Sequence, residues 1–290
     1  MAVYELSNNY LSVCVQSKGA ELCSVKNKSG KELLWQANPD VWPRFAPVLF
    51  PIVGRLINNS FNYQDKSYSL SQHGFARDKE FVLIDRTQTS LSFELTADEE
   101  SLKLFPFHFS LIVSYFIDDN RLKTTYKVFN PSNDSIYFSI GAHPGFSTTI
   151  TQGESLSDYK LIFPGKEYLT AEVLHEGLLS GEQQKIELDN NTLQLSPALF
   201  EKDALVFMNG QIEHVQLVSQ KSGNCIDLDC EGWPYFGIWT KKGCDQFVCL
   251  EPWFGITDSI HSKGDLTQKT GIIRINTKDS FTSSFGLKFQ

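Results

Sequence analysis

About eighteen short stretches in which apolar and polar residues alternate run through nearly the whole chain. Alternation with a period of two places every second side chain on one face, which is typical of strands with one buried face. Only residues 98–104, with acids first and Lys103 near the end, have the charge order of a helix. No long polar linker and no internal repeat interrupts the series. The pattern predicts an all-β fold, an extended antiparallel two-sheet sandwich with very little helix, as a single domain over residues 1–290.

The charge and the apolar runs argue against several classes of protein. The formal net charge is -8, and no run of basic residues occurs, whereas a nucleic-acid surface needs clustered Lys and Arg. Residues 1–10 lack the basic start and apolar stretch of a signal peptide. No apolar run approaches the roughly 18 residues of a membrane span. We therefore expect a cytoplasmic protein with no nucleic-acid or membrane partner.

The six cysteines allow a disulfide or a zinc interpretation. Cys225 and Cys230 are five residues apart, as are Cys244 and Cys249, and on a strand this spacing puts the two thiols on opposite faces. Neither pair has the two intervening residues of a zinc ribbon. Without an export signal, free thiols are the favoured interpretation.

The segment from residue 45 to residue 78 organises the candidate site. Residues 45–55 form an apolar run that two prolines interrupt, so the run is neither a helix interior nor a central strand. The run places Arg55 at the end of an apolar surface, the floor of the candidate site. Burying a guanidinium there costs free energy unless its N–H groups have hydrogen-bond partners. A polar hairpin then leads back to His73 and Arg77, which lie on the same side if residues 71–78 are extended. These three polar groups are expected to meet over one floor.

Four motifs, taken in order, give the chain a resemblance to a known family. They are Val53-Gly54-Arg55, His73-Gly74-Phe75-Ala76-Arg77, Gly141-Ala142-His143-Pro144-Gly145-Phe146 and Cys249-Leu250-Glu251-Pro252-Trp253. The set resembles the aldose 1-epimerases, or sugar mutarotases, and within them the shorter LacX-type branch. The resemblance implies a large β sandwich, sometimes called a supersandwich, and an isomerase that interconverts the α and β anomers of a hexose.

Anomer exchange needs one base and one acid, which we expect several ångströms apart across the pyranose, and no metal, nucleotide or other cofactor. Glu251 ends an apolar strand beside an indole, where loss of water would raise its pKa towards working pH. His143 precedes a proline, which restricts its backbone to extended conformations and so directs its imidazole. By resemblance, Glu251 is the general base for the anomeric hydroxyl and His143 is the general acid for the ring oxygen.

The remaining site residues are expected to bind the sugar. Arg55 and His73 correspond to the arginine and histidine that grip the sugar in the longer enzymes of the family. Asp203 matches a hydroxyl-binding aspartate, although a shift of two residues would put Glu201 there instead. Arg77 either forms a surface pair with its neighbouring acid or points inward to meet a phosphate.

Two alternatives to a hexose mutarotase remain open at this point. One is an epimerase dedicated to hexose 6-phosphates, because the string around Arg77 also occurs in such relatives. The other is a sugar-binding protein that kept the cleft without turnover. The partner in every case is a monosaccharide, free or phosphorylated, while the particular hexose and the oligomeric state are not encoded in any motif.

Overall fold

The alternation in the sequence becomes alternating burial in the structure, a computed structural model that describes residues 1–290. Along Ser110–Asp118 every second side chain is buried, and the next strand, Arg121–Phe129, repeats this pattern. The turn between them contains Asp119 at φ +48°, a conformation that Asp tolerates better than most residues. Each strand therefore presents one apolar face and one polar face.

Twenty-four strands are present. They are β1 (Val3–Ser7), β2 (Leu11–Gln16), β3 (Glu21–Asn27), β4 (Val48–Leu49), β5 (Ser60–Tyr63), β6 (Lys66–Ser69), β7 (Val82–Arg86), β8 (Ser90–Thr96), β9 (Ser110–Asp118), β10 (Arg121–Phe129), β11 (Ile136–Phe138), β12 (Ile140–Ala142), β13 (Gly145–Ser147), β14 (Tyr159–Ile162), β15 (Tyr168–His175), β16 (Leu178–Glu187), β17 (Thr192–Gln194), β18 (Leu205–Phe207), β19 (His214–Ser219), β20 (Cys225–Asp229), β21 (Tyr235–Trp239), β22 (Phe247–Phe254), β23 (Ile273–Ile275) and β24 (Ser280–Phe289). The helices are α1 (Glu99–Leu104) and 3-10 turns at Ile57–Asn59, Ala76–Asp78, Leu156–Asp158, Pro197–Phe200 and Leu266–Gln268. None of them has the length and apolar character that crossing a membrane requires.

Two large sheets hold most of the strands. The nine-stranded sheet has the order β17-β14-β19-β20-β24-β10-β9-β8-β7, and the eight-stranded sheet has the order β16-β15-β18-β21-β22-β12-β4, with β13 also paired to β22. Strands β1 to β3 form a third sheet, and β5-β6 and β11-β23 form two-stranded ones. A single apolar core of 63 buried residues takes side chains from both large sheets, for example Val113 of β9 and Leu250 of β22. The antiparallel sandwich with little helix is therefore confirmed.

The strand count exceeds the expected one because the alternation does not reveal β1, the strands β4, β12, β13 and β17 of two or three residues each, and β15, which forms a long hairpin with β16. β16 is an edge strand whose side chains from Glu182 to Lys185 are exposed, although its Leu179 is buried. Its pairing comes from the backbone register with β15, from Tyr168 opposite Glu187 to His175 opposite Leu178. This hairpin supplies one wall of the cavity described below.

The proline-interrupted run behaves as expected. Only Val48–Leu49, between the two prolines, forms a strand, and it lies at the edge of the eight-stranded sheet. The carbonyl of Phe50 accepts hydrogen bonds from the backbone N–H groups of Phe75 (3.0 Å) and Ala76 (3.1 Å). The polar hairpin is thereby attached to the apolar floor, and its far end is brought next to Arg55.

Gly237 of β21 gives a direct test of the close packing next to the cavity. A Cβ at Gly237 would lie 2.4 Å from ring carbons of Trp253 on β22. We expect Gly237→Ala to displace the indole and to lower the free energy of unfolding by about 1–3 kcal/mol. The matched control is Gly286→Ala in β24, where a Cβ would meet nothing within 4 Å. Denaturant titrations compare the two, and equal stability would contradict the close contact.

Candidate active site

All six residues that the sequence singled out line one cavity of about 450 Å³. They are Arg55, His73, Arg77, His143, Asp203 and Glu251. A slightly larger hollow, about 500 Å³, lies over Gly286 on the nine-stranded sheet and is lined by none of the six. Because the candidate chemistry is gathered in the first cavity, that cavity is the candidate active site.

Glu251 reaches the cavity through the two-residue period of β22. Val248 and Leu250 point into the core between the sheets, whereas the alternate residues Cys249, Glu251 and Trp253 point the other way. The Glu251 side chain is only 2% exposed, and its Oε2 makes no hydrogen bond. Burial raises the pKa of this carboxyl well above its ordinary value.

His143 follows β12 and is enclosed by aromatic rings. Trp42 stacks on the imidazole at 5.0 Å between ring centroids, and Trp239 meets it edge-on at 5.6 Å. Its Nε2 lies 3.2 Å from Oε2 of Glu251, without the alignment of a hydrogen bond. Burial lowers the pKa of His143 well below its ordinary value. The imidazole and the carboxyl therefore face each other in an environment that favours their uncharged forms.

The expected spacing of these two groups was wrong. They are not several ångströms apart across a sugar ring, since 3.2 Å separates Nε2 of His143 from Oε2 of Glu251. The reason lies in the pairing of β12 with β22, which places Gly141 opposite Trp253 and so brings the end of β12 beside Glu251.

His73 and Arg77 reach the cavity by a route that the extended-segment expectation missed. His73 has φ +66°, and Arg77 lies in the 3-10 turn Ala76–Asp78, so the segment is a compact turn. The N–H of Gly54 donates to Nδ1 of His73 at 3.1 Å, which leaves Nε2 as the donor of the neutral ring. Arg77 donates through Nη2 to the carbonyl of Gln72 at 2.6 Å, and its buried Nε makes no hydrogen bond, although it lies 3.9 Å from Oδ2 of Asp78. Burial lowers the pKa of Arg77 to about 10.

Arg55 is held from both its backbone and its side chain. Its N–H donates to Oγ1 of Thr257 at 3.0 Å, and its Nη1 donates to the carbonyl of Glu176 at 2.9 Å. Next to this contact, Lys269 donates to Oδ1 of Asp258 at 2.8 Å in a buried ion pair. The backbone N–H of Asp258 in turn donates to the carbonyl of Arg55 at 2.8 Å. This network fixes the arginine against the turn of the β15-β16 hairpin.

The structure separates the two candidate acids, Asp203 and Glu201. Asp203 lines the cavity, with Oδ1 accepting a hydrogen bond from the N–H of Ala204 at 2.7 Å. Glu201 lies outside the cavity and pairs with Lys242 at 3.2 Å.

The sequence did not mark Trp42, Gln72, Glu176 or Thr257, which also line the cavity. None of these belongs to a motif, so only their position in the fold reveals them.

Comparisons with known proteins cover almost the full chain. The sequence model of the family described as aldose 1-epimerase matches residues 2–273. The chromosomal Protein LacX of Lactococcus lactis is 32% identical over an alignment of 292 residues including gaps, which covers 98% of this chain and 98% of that protein. The plasmid-encoded Protein LacX of the same organism gives the same values.

Solved structures give the same picture. A galactose mutarotase related enzyme from Lactobacillus acidophilus superimposes with a TM-score of 0.96 at 34% identity, covering 100% of this chain and 97% of that one. A galactose mutarotase-like protein from Lactobacillus casei gives a TM-score of 0.91 at 27% identity over 100% of both chains. The chain therefore belongs to the aldose 1-epimerase family and is an isomerase of the mutarotase type.

Proposed function

We propose that this enzyme interconverts the α and β anomers of a hexose, with Glu251 as general base and His143 as general acid. One observation carries the proposal. A carboxyl and an imidazole lie 3.2 Å apart in a cavity of about 450 Å³, a volume within the usual range of small-molecule sites. Their separation suits two oxygens that share one carbon of a pyranose.

The reaction moves two protons and breaks one ring bond. Glu251 takes the proton from the O1 hydroxyl while His143 gives a proton to O5. The C1–O5 bond breaks and its electron pair remains on O5, while a C1–O1 double bond forms. After rotation about the C1–C2 bond, O5 attacks the other face of the carbonyl and both protons return. The enzyme ends the cycle in its starting state.

The pair can enter this cycle through a single proton transfer. Burial favours a protonated Glu251 and a neutral His143, and such a pair holds one proton that can move between them. Transfer of that proton from the carboxyl to the imidazole produces the carboxylate and the imidazolium together. The two groups then titrate as a unit, and neither has a pKa independent of the other.

Sugar binding is assigned to the polar groups around this pair. Arg55 and His73 present N–H donors, and Asp203 presents carboxylate oxygens, on the walls of the cavity. Trp42 and Trp239 also line it, and their rings suit the C–H face of a pyranose.

A cytoplasmic location is supported by the six cysteines, all of which are unpaired.

NMR exchange or polarimetry on freshly dissolved α-glucose, α-galactose and their 6-phosphates tests the proposal. We expect at least one of these sugars to exchange anomers in proportion to enzyme concentration. Binding of a sugar without faster exchange would instead support the non-catalytic sugar-binding protein. If none of the four sugars binds and none exchanges faster, that result would contradict a hexose site.

The unused donor of Arg77 favours a phosphorylated hexose as a second candidate substrate. Arg44 and Arg77 share one carboxylate, Asp78, at 3.0 and 3.9 Å. Arg77 faces the cavity, and its buried Nε makes no hydrogen bond. The Arg77 guanidinium therefore has an unused N–H donor at this end of the cavity, where a phosphate could accept hydrogen bonds from it.

Arg77→Gln tests this candidate. If Arg77 binds phosphate, the variant should lower kcat/KM for a hexose 6-phosphate by about 10- to 100-fold relative to the free hexose, because a hydrogen bond to a charged group is lost. Arg77→Lys should recover part of that loss as a point charge. Equal effects on free and phosphorylated sugars would rule out a phosphate contact at Arg77.

A further inference from the structure

A third reactive side chain lies beside the acid/base pair. Cys249 is two residues before Glu251 on β22, so both side chains are on the same face of the strand. The Sγ of Cys249, a carboxylate oxygen of Glu251 and a ring nitrogen of His143 all lie within 4.8 Å of one another. All three residues are buried. The proposed reaction uses the carboxyl and the imidazole but has no role for the thiol.

We propose that Cys249, Glu251 and His143 form a binding site for a soft divalent cation such as Zn²⁺ or Cd²⁺, and that the bound cation excludes the sugar. The second half of this statement rests on the proposed function, because it requires the sugar to bind at the same pair. The reaction itself needs no metal, so the cation would act as an inhibitor.

The donor set fits such an ion. Thiolate, imidazole and carboxylate are the ligands of protein zinc sites, with bonds of about 2.0–2.3 Å. Tetrahedral geometry at these bond lengths separates donor atoms by about 3.5 Å. The distance from His143 Nε2 to Glu251 Oε2 is 3.2 Å. No two of the three donor atoms are more than 4.8 Å apart, so the widest separation must shrink by at most about 1.3 Å. The fourth position would face the cavity, which His143 and Glu251 line.

An unused polar atom and charge balance support the same conclusion. Oε2 of Glu251 is buried without a hydrogen-bond partner, which is costly in a protein interior. A divalent cation would offset the two negative charges of a thiolate and a carboxylate, giving a complex with no net charge. Starting from the thiol and the protonated carboxyl, binding would release two protons to solvent.

The ligand chemistry also selects among cations. Mg²⁺ and Ca²⁺ prefer six or more oxygen ligands and gain little from sulfur or nitrogen. Zn²⁺, Cd²⁺ and Co²⁺ accept sulfur and nitrogen donors at low coordination number. We therefore expect no inhibition by Mg²⁺ at concentrations where Zn²⁺ inhibits.

Titration of the full-length protein with Co²⁺ tests the site directly, because a thiolate ligand gives a charge-transfer band in the near ultraviolet. We expect this band in the parent and in the control variant Cys244→Ser, whose thiol is also buried. We expect the band to be absent in Cys249→Ser and in Cys249→Ala. Two variants are used so that the test still stands if one of them fails to fold. No band in the parent, or a band that persists in the folded Cys249 variants, would overturn the metal site.

Anomer exchange in the presence of Zn²⁺ tests the exclusion of the sugar. Zn²⁺ should inhibit the parent in competition with the sugar, and the inhibition constant should be weakened on the order of 100-fold in Cys249→Ser, through the loss of one ligand. Equal inhibition of the parent and of Cys249→Ser would overturn the exclusion. The cobalt band does not depend on turnover, so failure of the proposed reaction and failure of the metal site give different results.

Discussion

Glu251→Gln should lower the turnover number for anomer exchange by about 10²- to 10⁴-fold, the usual contribution of a general acid or base, while sugar affinity changes much less. The amide has nearly the shape of the carboxyl and fits the same buried position, but it cannot accept the O1 proton. NMR exchange at saturating sugar measures the turnover, and calorimetric titration measures the affinity.

Two controls separate this effect from a loss of structure. Thermal unfolding should be nearly unchanged, because an amide of nearly the same shape replaces a carboxyl whose pKa burial raises. Glu201→Gln removes a carboxylate that lies outside the cavity and pairs with Lys242, and it should exchange anomers like the parent. Parent-like exchange in folded Glu251→Gln would remove Glu251 as the base.

His143→Asn should cause a loss of similar size, about 10²- to 10⁴-fold. Asparagine keeps a polar side chain between Trp42 and Trp239 but carries no proton that titrates near neutrality. Because the base and the acid act in the same step, their losses should not add. The double variant Glu251→Gln/His143→Asn should therefore be about as slow as the slower single variant, as measured by the same exchange experiment.

Two outcomes would contradict the paired mechanism. Losses that multiply in the double variant would mean that His143 and Glu251 act independently. A His143→Asn enzyme that keeps its turnover and loses only sugar affinity would make the imidazole a binding group. Thermal unfolding again serves as the control, because the imidazole packs against both indoles.

The sequence was informative where a local pattern has one physical meaning. Strands with one buried face, such as Arg121–Phe129, follow from the two-residue period. The motif residues Arg55, His143 and Glu251 could be named because each belongs to a string of neighbours that resembles a motif of the family. The shared cavity of these residues then follows from a fold that brings distant segments together.

Other features could not be predicted because no local pattern encodes them. Strands β4, β12 and β13 have only two or three residues each, too few to show an alternation. The contact of Trp42 with His143 joins segments about a hundred residues apart in sequence. The 3.2 Å distance between His143 and Glu251 depends on how β12 and β22 pair, and the expectation of a wider separation came from the sugar ring alone.

The two faces of β22 have a consequence for how this enzyme can diverge. Leu250 lies in the main core and Glu251 in the cavity, so a slip of one residue would exchange them. An insertion or deletion within the strand would thus disable folding and chemistry together. The hairpin turn at Glu176 and the loop at Asp203 line the cavity without belonging to a strand that also fills the main core. Under the proposed function, new sugar preferences are expected to arise by changes in these two segments, while the strand that carries Glu251 tolerates almost none.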